Sequence, residues 1–321
     1  LSTPLVSILI PLYNAQEYIS ATLESVLNQT YKNIEIIIVD DGSSDNSIDI
    51  VKSYQQRYSN ITLFTQTNLG ASRARDRAFE LSKGDYINYL DSDDLLSSNK
   101  IASQIELLRE FDFDKTTVAF CKFAYFVDTI DNATVINQPI NHSFDSGIKW
   151  LKYSFEGGGY GAVMGWLTPK ELIYKAGSWR NDLKRNQDGE FFARVLVNAT
   201  KVVYDDNSIV YYRKGIDSSI SSNNSYKAIE SILQSYIYYT TLNKPQLNQS
   251  IAYKFIDFII HYRYTYPNLA KKAYKEIEKL GIDINSIELK GKSKYLSKLF
   301  GTKIAIEIKA FIKYYTKFIY S

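Results

Sequence analysis

Two short runs, Val6–Leu12 (VSILIPL) and Ile34–Val39 (IEIIIV), constrain the fold of this chain more than any other feature. Each is almost continuously apolar and rich in β-branched residues. They are too short for a core helix and lack the alternation of a half-exposed strand. Such runs belong to strands covered on both faces, as in parallel sheets. Residues 61–64 and 86–90 read as third and fourth strands. Helical spacing fills the gaps: Tyr18, Ile19, Leu23, Val26 and Leu27; then Ile48, Ile50, Val51 and Tyr54; then residues 71–82, ended by Lys83-Gly84. This rhythm predicts an α/β fold with a mainly parallel sheet wound with helices.

Ligands of such sheets bind beyond the carboxyl ends of the strands. The polar clusters Tyr13/Asn14, Asp40/Asp41, Asn68 to Arg75 and Asp91 to Asp94 all fall there. Four clusters on one sheet edge predict one site. In the last of them, the carboxylates of Asp91, Asp93 and Asp94 repel one another, which raises their pKa values. A hard divalent cation, Mg²⁺ or Mn²⁺, takes oxygen ligands and removes that repulsion. The D-x-D spacing lets one carboxylate face the metal directly and the other reach it through water or a sugar hydroxyl. The competing reading is an acidic turn that caps the next helix through Asp93 or Ser97. Likewise Asp40 to Asp45 reads as a ligand loop or an Asx-rich cap, and Arg73, Arg75 and Arg77 as functional or as a solvated helix face.

The motifs PLYN, VDDGSSD, NLGASRAR and GDYINYLDSDD, in that order, resemble the inverting family-2 glycosyltransferases with the GT-A fold. The likeness is close over roughly the first 100 residues and looser to about residue 215. It implies a Rossmann-like nucleotide-sugar-binding domain. Pro11 and Tyr13 would line the nucleotide pocket, with Tyr13 near the base. Asp41 would accept from the base ring N–H, and Arg75 would reach the diphosphate or the acid cluster. Asp91 would contact ribose or sugar hydroxyls, and Asn14, Asn68 and Ser92 complete the donor-binding set. Asp93 would bind Mn²⁺ or Mg²⁺. Asp76 departs from the family, which often has Asn there, and adds negative charge near the donor.

Further along, residues 97–112 read as a helix and 118–127 as a strand. Residues 128–143 read as loop, 144–155 as a helix, and Glu156 to Gly161 as a mobile loop over an acceptor or a plain linker. In Arg185 to Phe192, RNQDGEFF, similar transferases place a general base, usually as E-D; here Gln187-Asp188 keeps the second position. The resemblance therefore makes Asp188 the catalytic base, with Glu190 as fallback and alternative partner of Arg194. The helix N-terminus favours the anionic form. Residues 202–204 and 209–212 read as two short strands closing the catalytic domain. The expected division is 1–217 catalytic, with 1–100 for the donor and 101–217 for the acceptor, then 218–321 helical.

Composition is that of an ordinary globular protein: 45% hydrophobic and 23% charged, with one cysteine, Cys121, which excludes an intrachain disulfide. No apolar run reaches the roughly 20 residues of a spanning helix. No signal peptide is visible, so the expected compartment is the reducing cytoplasm, in solution or peripheral at the inner membrane face. From Lys290 onward eight lysines face one acid, Glu307, a net +7 that leaves −4 for the rest. Basic charge confined to the tail, with no matching motif, argues against nucleic-acid binding. As a helix, residues 304–320 put Ile304, Ile308, Phe311, Tyr315 and Phe318 on one side and Lys309, Lys313 and Lys317 opposite. That pattern fits a helix lying on an anionic membrane or one packing its apolar stripe on the protein.

The expected activity is inverting, metal-dependent, non-processive transfer of a sugar from a UDP-, GDP- or dTDP-linked donor. The acceptor is a glycan or lipid-linked hydroxyl in cell-surface glycan synthesis. A catalytically silent sugar-nucleotide or glycan-binding module and a sugar nucleotidyltransferase are the alternatives. The second needs a Gly/Arg-rich phosphate loop after the first strand, and PLYNAQEYI is not one.

Overall fold

The computed structural model describes residues 3–215, 224–289 and 293–319. From Val6 to Arg213 the chain runs β1 (Val6–Leu12), α1 (Ile19–Leu27), β2 (Ile34–Asp40), α2 (Ser47–Gln55), β3 (Ile61–Thr65), α3 (Ala71–Leu81) and β4 (Tyr86–Tyr89). It continues with β5 (Leu95–Leu96), α4 (Lys100–Arg109), β6 (Thr117–Phe126), β7 (Thr134–Ile136), α5 (Gly147–Tyr153), β8 (Thr168–Pro169), α6 (Lys170–Ala176), α7 (Gln187–Leu196) and β9 (Lys201–Arg213). Packing divides the chain into two units. The first is Leu1–Trp150, Gly159–Asn181 and Arg194–Ser219; the second is Leu151–Gly158, Asp182–Ala193 and Ile220–Ser321. The boundary expected at residues 217 and 218 lies outside the described residues.

The first unit holds a five-stranded sheet in the order β3-β2-β1-β4-β8, in which only β8 is antiparallel. Every residue of the central β1 is buried, as its unbroken apolar run requires. Each fully buried Ile or Leu there contributes roughly 1.5–3 kcal/mol relative to exposure. Leu12 pairs with Asp40 and Asp40 with Thr65, so these strands end level and release their loops on one edge.

A second sheet has the order β5-β9-β6-β7. Here the sequence expectations need two corrections. Residues 201–213 form one long strand rather than two, because β9 stays paired with β6 across a register shift at Cys121/Lys122. The polar residues Asp205 to Ser208, which broke the apolar pattern, occupy that irregularity. The expected loop 128–143 contains the edge strand β7, antiparallel to β6.

Residues 154–158 do not form an unanchored linker: Glu156 accepts from Ser250 Oγ at 2.8 Å within the second unit. That unit also includes α7 up to Ala193, together with α8 (Tyr226–Thr240), α9 (Asn248–Tyr262), α10 (Pro267–Lys279), α11 (Ser293–Phe300) and α12 (Thr302–Ile319). Ser225 caps α8 through a bond from Ala228 N, and Pro267 opens α10, where its missing N–H leaves no helical bond unmade. Among the described residues no helix is long and apolar enough to cross a membrane.

Candidate active site

The loops leaving β1, β2 and β3 are tied together by side chains. Asn14 adopts φ 46°, a left-handed conformation that Asn tolerates. Its Oδ1 accepts from Ser44 N at 2.8 Å, and its N–H donates to Ser43 Oγ at 2.9 Å. The two neighbouring acids behave differently. Asp40 turns back on its own loop and accepts from the N–H groups of Gly42 and Ser43, an Asx turn. Asp41 reaches across: Oδ1 accepts from Gln66 Nε2 and Leu69 N, both at 2.8 Å, and Oδ2 from Gly70 N at 2.7 Å. Oδ2 keeps room for another donor. Gly42 sits at φ 80°, and a Cβ there would lie 3.1 Å from Asn68 N, so glycine permits the close approach of these loops. Tyr13 and Asn68 are exposed at this edge, while Pro11 is buried within β1.

Arg75 connects α3 to the acid loop. Its Nη2 lies 2.5 Å from Asp91 Oδ1, and its guanidinium stacks 4.7 Å from the centre of the Trp179 ring. Planar stacking combined with a carboxylate contact suits Arg and not Lys. The Trp179 ring also packs edge-on against Tyr89, and the backbone N–H of Trp179 donates to Asp76 Oδ1 at 2.9 Å. Asp76 therefore holds the 179 loop. Burial raises its pKa, and the Trp179 N–H opposes that rise.

The acid loop is anchored from β9 and α1. Arg213 donates from Nε to Asp93 O at 2.9 Å and from Nη1 to Val127 O at 2.8 Å, and its N–H donates to Asp94 Oδ1. Thr22 Oγ1 donates to Ser92 O at 2.9 Å. Burial and the charge of Asp91 push the Asp93 carboxyl up to about 6. Burial and both neighbours also raise Asp94, whose Oδ2 is buried with no partner among the described residues. These two carboxylates, beside an Asp91 that is paired with Arg75, suit a cation. Among the described residues no group of three or more His, Cys, Asp or Glu forms a complete cage. Of these carboxylates, Asp93 would offer an oxygen to a hard divalent ion, which would take its other positions from ligand and water.

Beside Arg213 lies a cavity of about 380 Å³ lined by Tyr125, Phe126, Asp128, Asn132, Thr134 and Lys214, among others. Phe126 packs under the Arg213 guanidinium at 4.3 Å, so one side chain contributes to both the acid loop and the cavity wall.

Asp188 lies in the first turn of α7, exposed, while Glu190 is buried. Asn186, at φ 59°, fixes this helix start by donating to Ser235 Oγ at 2.7 Å and Tyr239 OH at 2.9 Å. A Cβ on Gly189 would lie 2.3 Å from Asn186 Oδ1, which demands glycine there. Arg194 donates to the carbonyls of Ala176 and Ser178. Trp179, Arg213 and Asn186 carry much of this geometry without having been singled out for it in the sequence.

The family model for Glycosyl transferase family 2 matches residues 7–163. An uncharacterized glycosyltransferase of Haemophilus influenzae is 40% identical over 124 residues, 38% of this chain and 50% of that protein, so the match spans half of that relative. EpsH of Bacillus subtilis, a protein named for glycosyl transfer, is 31% identical over 241 residues, 74% of this chain and 68% of that protein. Among solved structures, TarS residues 1–349 of S. aureus, in complex with UDP-GlcNAc, superposes with a TM-score of 0.73 at 16% identity, over 98% of this chain and 91% of that one. The mannosyltransferase PcManGT of Pyrobaculum calidifontis, in complex with GDP-Man and Mn²⁺, gives 0.57 at 14% identity over 97% and 87%. At such identities the structures speak for fold alone, a GT-A α/β architecture. The sequence match to EpsH runs on beyond the family model to cover more than two thirds of that protein, and with it the chain belongs to the family-2 glycosyltransferases.

Proposed function

We propose that the chain transfers a sugar from a nucleotide-sugar donor to an acceptor hydroxyl with inversion, one sugar at a time, using a divalent cation. The observation that carries this is the joining of four strand-end clusters into one rim, through Asn14 to Ser44, Asp41 to Gly70 and Arg75 to Asp91. A donor analogous to those bound by TarS and PcManGT would lie across that rim. Tyr13, Asn68 and the remaining lone pair of Asp41 would meet the base, and Asp91 and Ser92 the ribose or sugar. Asp93 would hold the cation, which when bound neutralises charge gathering on the departing diphosphate. Asp188 would take the proton of the acceptor hydroxyl as its oxygen bonds to the anomeric carbon and the carbon–phosphate-oxygen bond breaks. One displacement inverts the centre, so one base suffices.

The cavity beside Arg213 offers aromatic rings, an amide, hydroxyls and both charges, which suits an acceptor sugar. Without Q-x-x-R-W, the motif of processive synthases, the chain would add single units to cell-surface glycans or lipid-linked precursors. The same reading puts the protein at a membrane face, in contact through its C-terminal helices. A panel of UDP-, GDP- and dTDP-sugars assayed for hydrolysis and transfer with and without Mn²⁺ tests the proposal. It expects metal-dependent turnover of one donor class and a product of inverted configuration. Turnover of none, with nucleotide still bound, would mark a silent binding module.

A further inference from the structure

The face that α12 turns to the protein is its small one. Thr302, Ala305, Ile306 and Ala310 are buried, and α12 packs on α9. Glu307, the single acid after residue 289, is used to hold the helix: it accepts from Arg263 Nε at 3.1 Å and from Tyr274 OH at 3.0 Å. Lys313 reaches His261 on the same side. Most of the bulky apolar residues point away, Ile306 excepted. Ile304, Phe311 and Tyr315, spaced to share one face, are 52%, 49% and 50% exposed. On α11, Tyr295 and Leu299 are each 73% exposed, one turn apart. Phe300, at the turn into α12, is also exposed. Packing these bulky groups inward would bury more apolar area than the alanines do, so the observed order is the reverse of an ordinary core-facing helix. Large apolar side chains exposed together on consecutive helices mark an interaction site.

The surrounding charge selects the occupant. Lys303, on the flank of that face, and Lys298 are exposed, Lys294 is exposed and paired with Glu288, and the one acid of α12 is engaged with Arg263. Aromatic and aliphatic groups rimmed by lysines match the interface of an anionic bilayer: rings and branched chains at the acyl boundary, ammonium groups extended to the phosphates.

We propose that the α11–α12 hairpin is the docking surface of this chain for an anionic lipid membrane. This deepens the membrane contact of the functional reading, but the docking does not depend on the transfer chemistry. The test is co-sedimentation of the full chain with vesicles of phosphatidylcholine alone or mixed equally with phosphatidylglycerol, at low and high salt. Binding to mixed vesicles at low salt and release at high salt is expected. Lys298→Gln/Lys303→Gln should weaken partitioning roughly 30-fold. Leu299→Gln/Phe311→Gln/Tyr315→Gln should abolish it. Both variants alter exposed positions and should keep the parent thermal shift with nucleoside diphosphates and Mn²⁺. A parent that stays in the supernatant at low salt, or an apolar variant that binds as the parent does, overturns the proposal. So does a parent dimer that the apolar variant turns into monomer, since a second copy would then cover the face. Vesicle binding by a parent that shows no nucleotide shift would instead sink the transfer reading and leave this one standing.

Discussion

Arg75 Nη2 and Asp91 Oδ1 lie 2.5 Å apart, joining the first half of α3 to the loop that follows β4. Arg75 is 7% exposed and backed by the Trp179 ring. The pair neutralises one of three crowded carboxylates and fixes where it points.

Arg75→Met is therefore expected to destabilise the fold by about 2–3 kcal/mol, since it strands the Asp91 charge beside Asp93. The loss falls short of that for a fully buried pair because the Asp91 side chain keeps 29% of its surface exposed. Arg75→Lys should recover little, as an ammonium cannot stack on the indole plane while contacting the carboxylate. Urea unfolding of Arg75→Met, of Asp91→Asn and of the double variant Arg75→Met/Asp91→Asn measures the coupling. A double variant no more stable than the sum of the singles predicts would remove the pair from the account.

Asp93→Ala is expected to abolish divalent-dependent binding of the nucleoside diphosphate and to lower transfer by orders of magnitude. With no complete cage among the described residues, loss of one carboxylate leaves the cation few protein ligands. Calorimetric titration of nucleotide with and without Mn²⁺ checks this. Equal affinity and equal metal dependence in the variant would show that Asp93 does not hold the ion.

Asp188→Asn should leave donor affinity unchanged and cost roughly 10²-fold or more in transfer, the size of a general-base contribution. The side chain is exposed and the helix start is held by Asn186, so folding should survive. A flat pH–rate profile on the acid side would accompany loss of the base. Near-parent turnover would transfer the role to another group.

The parallel sheet and its loop edge were legible because their signals are local. Unbroken apolar runs mark β1 and β2, and the polar residues following each strand end mark the rim. What the sequence concealed depends on partners far apart in the chain. Arg213 meets the carbonyl of Asp93 across 120 residues, and nothing near residue 213 signals it. The bulge at Asp205 to Ser208 mimicked a break between strands because its polar side chains bond one another, as Ser208 does with Asp205. The edge strand β7 is three residues long and mostly exposed, so it lacks the apolar signature of a core strand. In the tail, the amphipathic pattern was plain, but periodicity alone could not say which face met the protein. Ala305 and Ala310 facing inward decided that.

Lys100, on α4, is a fully buried cation. Its Nζ donates to Trp166 O at 3.3 Å, and burial lowers its pKa to about 8 from the ordinary 10.5. Cys121 on β6 and Asp205 on β9 face it and oppose the drop; burial pushes the Cys121 thiol up to about 11, so it stays neutral over the range that matters. Below pH 8 the lysine is charged both folded and unfolded, and the fold bears the full penalty of burying the charge. Between about 8 and 10.5 the unfolded chain binds the extra proton, so stability rises with pH. A depression of about 2.5 pKa amounts to roughly 3 kcal/mol. Lys100→Met, similar in length and uncharged, should therefore be more stable than the parent at pH 7 by about 2–3 kcal/mol. Trp166 O would keep its bond from Asn88 Nδ2, at 2.6 Å. The advantage should shrink steadily as pH climbs from 8 toward 10.5. Denaturant unfolding of parent and variant across that range is the measurement, and a constant difference would mean that Lys100 does not titrate there.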